Sequence, residues 1–188
     1  VSAMPYKCPV APHEGAMLIA DSFRKRGLAS RVKVDLYTPE AQPMPVAGPQ
    51  LGAAVQLMLS GKGIGFHPLH KLKAVDGGSQ TLIFENETSA PYDLLVVIPP
   101  HRAPAAVEQS GLLNAAGWIP VNPQPLETSV AGIYTIGDIT AVPIPGRWKA
   151  EAPLMLPKAG VFAHAQGEIV AERIASTISG RTADQIFT

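Results

Sequence analysis

The sequence predicts an α/β chain whose first half is built on a parallel sheet, and three observations carry that prediction. Segments with apolar residues at helical spacing alternate with short runs in which apolar and polar residues alternate by two. Glycines follow the helix-like segments as stop signals. After the second helix–strand step, two strand-like runs flank Gly77-Gly78, which adds an antiparallel hairpin to the parallel sheet.

The first helix is predicted from Pro12, whose missing N–H costs nothing in a first turn, and from Glu14, which places negative charge near the helix N-terminus. Ala16, Ile19, Ala20 and Phe23 recur at helical spacing, and Gly27 stops the helix. In "RVKVDLYTPE", Val32, Val34 and Leu36 alternate with charged neighbours, the period of a strand. The pattern then repeats. Leu51, Val55 and Met58 or Leu59 mark one helical face, Gly61 and Gly63 end it, and residues 64–66 form a short strand. Two such steps make half of a Rossmann-like unit.

Residues 92–98 form a continuous apolar run, predicted to be a buried strand. Pro99-Pro100 breaks it and sets a domain boundary, giving domains 1–99 and 100–188. Beyond it, "APAAVEQSGLL" reads as a short helix and "GWIPVNPQPLETSVAGIYTIGD" as short extended segments. "LPKAGVFAHAQGEIVAERIASTISG" is a long amphipathic helix with Val161 or Phe162, Ala165, Ile169, Glu172 or Arg173, and Ile174 on its inner side.

Composition excludes several functions. Fifteen basic side chains balance fifteen acidic ones, so no net field draws the chain toward nucleic acid. One cysteine excludes an internal disulfide framework and a multi-cysteine zinc site, and no metal site is expected. No window approaches the roughly 18 apolar residues of a membrane span. The first residues lack the parts of a secretion signal, and "VSAMPYK" reads as the interior of a larger protein.

Three stretches carry candidate chemistry. In "ETSVAGIYTIGDITA", Thr128, a buried apolar strand at 133–136, Gly137 and Asp138 follow in order; such a strand delivers a glycine whose backbone can approach a ligand and a carboxylate that accepts from ligand hydroxyls. In "LPKAGVFAHAQGEIVAERI", Lys158 and Ala159 open a helix whose N-terminus favours negative charge. A cation there opposes the helix dipole, so Lys158 is either a solvated side chain or one with another use. In "PYKCPVAPHE", prolines and Cys8 stand where a dinucleotide-binding turn would carry glycines. A thiol just ahead of a helix N-terminus and beside Lys7 has a local field that favours thiolate; the alternative is a small buried hydrophobe.

Together with "YDLLVVIPPHRAP", these stretches resemble the pyridine nucleotide-disulfide oxidoreductase superfamily. Within it they are similar to the sulfide:quinone oxidoreductases and the flavoprotein subunit of flavocytochrome c sulfide dehydrogenase. The resemblance spans nearly the whole chain. It implies a Rossmann-like, FAD/NAD(P)-binding three-layer fold: a central NAD(P)-binding-like domain that has lost dinucleotide function, then the C-terminal part of an FAD-binding domain. It implies FAD in the complete protein, held by Gly137, Asp138, Lys158 and Ala159, with Cys8 as the redox cysteine. It also implies a sulfur species as substrate, a quinone or cytochrome as acceptor, and a second redox cysteine beyond Thr188.

His101 then reads as a hinge side chain or an acid–base group, and His164 as an exposed or satisfied residue. The G-x-G-x-x-G of the FAD adenosine diphosphate site occurs nowhere in the chain. The segment is therefore expected to be an inactive portion of an enzyme that is cytoplasmic or peripheral to the membrane, capable of homo-oligomer contacts. Two other readings stand beside this one: an NAD(P)H-dependent flavin or disulfide reductase of the same superfamily, and a Rossmann-like binding or interaction module without redox activity.

Overall fold

The computed structural model describes residues 1–3, 7–149, 152–183, 186 and 187. The chain forms two compact units, Val1–His101 and Arg102–Thr188. In the first, α1 (Ala11–Lys25) has a proline at its start and Glu14 in its first turn, with Arg24 and Lys25 in its last, all complementing the helix dipole. Strands β1 (Val34–Tyr37) and β2 (Ile64–His67) pair in parallel, and α2 (Pro49–Gly61) is the crossover between them. Ser2 extends this sheet: its N–H donates to the Tyr37 carbonyl at 3.1 Å, and it bridges in parallel to Ile98. The order in space is therefore β2, β1, residues 1–3 and Ile98, which is the 3-2-1-4 order of a Rossmann half.

Period-two alternation sorts the two faces of this sheet. Leu36 and Ile64 point to the helices and are buried with Ala16 and Leu59. Tyr37 points the other way, onto an antiparallel meander of β3 (Leu72–Asp76), β4 (Thr81–Phe84) and β5 (Ser89–Pro91) that buries Leu82, Phe84 and Ala90. On that same face Asp35 reaches across Gly65 to His67, with Oδ1 to Nε2 at 2.8 Å, while Lys33 Nζ lies 3.0 Å from the other carboxylate oxygen. A Cβ on Gly65 would collide with Asp35 Oδ1. The His67 ring stacks on Tyr37 with centroids 4.2 Å apart.

The second unit contains α3 (Ala105–Glu108), a parallel pair of β6 (Ile119–Pro120) and β7 (Thr140–Ala141), a hairpin of β8 (Pro143–Lys149) and β9 (Ala152–Met155), and α4 (Gly160–Ile178). Its core joins Ile119, Val121, Leu126 and Val142 to Val170 of α4. No helix among the described residues is long and apolar enough to cross a membrane.

Four expectations are corrected. Residues 92–98 do not form a buried strand: only Ile98 bridges, and Leu94, Val96 and Val97 are exposed, because among the described residues the run is tied only near its ends, to Gln80 at Tyr92 and Asp93 and to residues 1–3 at Val96 and Ile98. Residues 133–136 are not a buried strand either. Tyr134 alone bridges, to Glu127; the adjacent Tyr134 and Thr135 turn inward while Ile133 and Ile136 stay exposed, so the segment lacks the alternation of a strand. On α2 the inward face is Gly52, Val55 and Leu59, which turns Leu51 and Met58 outward. On α4 the buried line runs through Gln166, Val170 and Ser176, leaving Val161 and Ile174 exposed.

Gly65→Ala is expected to push the Asp35 carboxylate off His67 and destabilise the first unit by about 1 kcal/mol, seen as a lower urea midpoint. Asp35 adds a pH dependence. Burial raises its carboxyl, but hydrogen bonds from His67 and Lys33 outweigh that and hold it below the ordinary carboxylate value. The charged pair therefore stabilises the fold above that value, and the contribution fades as pH falls through the lowered one. Asp35→Asn should cost about 0.5–1 kcal/mol at neutral pH. Melting curves of variant and parent should converge on acidification below the carboxylate range.

Candidate functional site

The 3₁₀ turn Gly137–Ile139 links the extended residues 133–136 to β7. Gly137 has φ +70°, a left-handed conformation that disfavours any side chain, and a Cβ there would meet the Ala163 methyl at 3.4 Å. Its N–H donates to Gln166 Oε1 at 2.7 Å, and its carbonyl accepts from Thr140 Oγ1 at 2.8 Å. Gln166 is 1% exposed, so a buried side-chain amide from inside α4 holds the turn.

Lys158 is drawn to the same turn. Its Nζ donates to the carbonyl of Asp138 and, at 3.0 Å, to that of Thr140. The ammonium also sits 3.7 Å from the centroid of the Trp118 ring. The register explains the meeting: Ile119 pairs with Thr140, so Trp118 lies level with the 3₁₀ turn. Asn114 fixes the Trp118 backbone, accepting its N–H on Oδ1 at 3.1 Å and donating its own to the Trp118 carbonyl at 2.8 Å. Gly137, Asp138, Lys158 and Ala159 thus fall in one neighbourhood at the start of α4. His164, one turn further on, is exposed and lies 3.5 Å from Glu168.

In the first unit Cys8 is a half-buried free thiol in the turn between residues 1–3 and α1, at the carboxyl end of the sheet. Residues 4–6, at the start of the cysteine stretch, lie outside the described residues. The amides around Cys8 are largely used internally. Pro9 and Pro12 have none; Ala11 N–H bonds the Cys8 carbonyl at 3.3 Å, and those of His13 and Glu14 bond the Val10 carbonyl at 3.0 Å. The Lys7 N–H donates to His101 Nδ1 at 2.7 Å. That bond places the proton of the neutral His101 ring on Nε2, so the free nitrogen is a donor. It also ties the turn before α1 to the loop after Ile98.

Comparison with known proteins places the chain in a family. The model of the pyridine nucleotide-disulphide oxidoreductases matches residues 16–167. The chain belongs to that family. The mitochondrial sulfide:quinone oxidoreductase of Mus musculus is 29% identical over 146 residues, 74% of this chain and 32% of that protein. The Dictyostelium discoideum mitochondrial sulfide:quinone oxidoreductase is 25% identical over 142 residues, 73% and 31%. The chain therefore spans about a third of the length of these relatives. Among solved structures, the sulfide:quinone oxidoreductase of Aquifex aeolicus superposes with a TM-score of 0.73 at 20% identity, over 95% of this chain and 43% of that one.

Three residues carry no signal in the sequence pattern alone. Gln166 is a polar residue on the buried line of α4, and that mismatch between residue type and position is a signal once the face is known. Trp118 carries no such signal, since the strand register alone brings it to Lys158. His13 is 2% exposed, neither ring nitrogen has a partner among the described residues, and burial pushes its imidazole below its ordinary value.

Gln166→Leu should leave the Gly137 N–H without its acceptor and destabilise the second unit by about 1–3 kcal/mol. Gly137→Ala should cost about 1–2 kcal/mol from backbone strain alone. Chemical denaturation followed by far-ultraviolet circular dichroism measures both, and a Gly137→Ala midpoint equal to that of the parent would refute the strained-turn account.

Proposed function

We propose that this chain is the central and later part of a flavin-dependent oxidoreductase that oxidises sulfide or a related sulfur species, with Cys8 as the sulfur-handling nucleophile. The electrons would leave to a quinone or a cytochrome. In this reading Val1–His101 is a former NAD(P)-binding domain and Arg102–Thr188 is part of the FAD-binding domain. The observation that carries the reading is the position of Cys8: a half-buried thiol occupies the turn after the first strand of a Rossmann half, where a dinucleotide would need free amides.

The residues of the second unit fit a flavin. α4 spans 19 residues, with no side-chain cap at Ala159 and no acidic residue in its first turn, so its N-terminal amides suit an electron-rich carbonyl or developing negative charge. The cleft beneath the Gly137 turn holds about 10 Å³, room for one water and no ring system. Asp138 would accept from ribityl hydroxyls, and the amides at Ala159 would suit a flavin carbonyl. When bound, flavin supplies a two-electron acceptor that the protein's own side chains lack.

Cys8 would bond a sulfide sulfur as a persulfide, the proton released to solvent and the two electrons passing on to the quinone or cytochrome acceptor. Nucleophilic sulfur is suited to this because it is polarisable and leaves as readily as it attacks. His101 holds the Cys8 turn through the Lys7 N–H. NAD(P)H is not expected to serve as donor, since bonded amides and two prolines leave little of a diphosphate cradle.

The complete protein should purify yellow and reduce a soluble ubiquinone analogue with sulfide. Cys8→Ser should lower that turnover by roughly two orders of magnitude or more while retaining the flavin spectrum. Unchanged sulfide turnover in Cys8→Ser would remove the cysteine from the reaction. Rapid bleaching by NADH without sulfide would favour the reductase reading instead.

A further inference from the structure

We infer that Lys158 and Trp118 form a clamp that sets the shape of the Gly137–Thr140 turn, so that Lys158 acts on cofactor binding through the turn and not by facing the cofactor. The inference deepens the flavin reading and rests on it for the identity of the ligand. The clamp itself rests on geometry within one unit. An ammonium has three N–H donors and accepts nothing. Here the Asp138 and Thr140 carbonyls take two of its directions, and the Trp118 ring face lies 3.7 Å from the charge, well inside cation–π range. A cofactor carbonyl could gain this ammonium only by displacing one of these partners.

The turn is held from two sides by residues close together in sequence. Lys158, two residues before α4, grips its carbonyls; Gln166, buried within α4, accepts the Gly137 N–H at 2.7 Å. Turn and helix therefore form one rigid piece, which is what a site needs when a carboxylate on the turn and amides at the helix start must meet the same ligand. Trp118, immediately before β6, closes the third side. On this account Lys158, Trp118 and Gln166 are positioning residues, and none is itself a ligand contact.

The test uses the complete protein with Lys158→Met, Trp118→Leu and Trp118→Phe, read by peptide-level hydrogen exchange over residues 137–141, by the FAD dissociation constant, and by the midpoint potential of bound flavin. Lys158→Met is expected to speed exchange of this peptide and to weaken FAD binding, each by about tenfold or more, the scale of losing charge-assisted hydrogen bonds. The midpoint potential of the remaining holoprotein should stay that of the parent. Trp118→Leu should reproduce much of this, and Trp118→Phe, which keeps an aromatic face, should restore both exchange and affinity toward parental values. A lowered midpoint potential with unchanged exchange in Lys158→Met would overturn the clamp and put the ammonium on the flavin. Equal exchange in Trp118→Leu and Trp118→Phe would remove Trp118 from it. Should the complete protein bind no flavin, the functional reading fails, while the exchange data still decide whether the clamp exists.

Discussion

Backbone hydrogen bonding is the constraint on which the rest of this molecule depends. In a glycine-rich nucleotide site the amides of a turn are left unpaired so that a phosphate can take them. Here several of those amides are bonded within the protein. In the first unit the N–H groups of Lys7, Ala11, His13 and Glu14 go to His101, Cys8 and Val10, and Pro9 and Pro12 have none. In the second, Gln166 accepts the Gly137 N–H, and Lys158 and Thr140 take the carbonyls of the turn. The side chains these turns carry are a thiol in one case and a carboxylate in the other.

Magnitudes account for the cation at the N-terminal end of α4. Placing a positive charge beside a helix N-terminus costs about 0.3–1 kcal/mol at an exposed position. A hydrogen bond from a charged donor contributes about 1.5–3 kcal/mol, and a cation over an aromatic face about 0.5–2 kcal/mol. Two carbonyls and the Trp118 ring therefore outweigh the dipole penalty. The same comparison shows why Lys158→Met differs from an ordinary surface change: the methylene stem survives, and the partners of the charge lose their donor.

Much of the fold was legible because local chemistry dictates it. Pro12, Glu14 and Gly27 bound α1 as their conformational preferences require, and Gly77-Gly78 turns the β3–β4 hairpin with Asp76 accepting the Gly78 N–H at 2.9 Å. What failed depends on neighbours. An apolar run such as residues 92–98 records a preference for burial, and whether a second strand lies alongside is not written in it. The β8–β9 hairpin went unread because Pro143 and Pro145 argue against a strand, although prolines are tolerated where a ladder has only one partner. At the candidate site, Gly137, Asp138, Lys158 and Ala159 were legible as a group. The direction of the Lys158 ammonium was not, because a parallel register between β6 and β7 decides it.

His13 shows how the exchange of glycines for Cys8 reaches into the core. A glycine turn lets a helix start close against its strand with no side chain between them. With Pro12 and His13 in that first turn, an imidazole must fit under the helix, and its ring lies 6.2 Å from Phe66 of β2. Burial pushes its protonation below the ordinary histidine value, so the ring fills space as a neutral aromatic at physiological pH. Protonating it would place an unpaired charge in the interior of α1's packing face. The turn that carries the thiol is thus braced by a residue that favours neutral or alkaline conditions, the range in which a cysteine is also most able to act as a nucleophile.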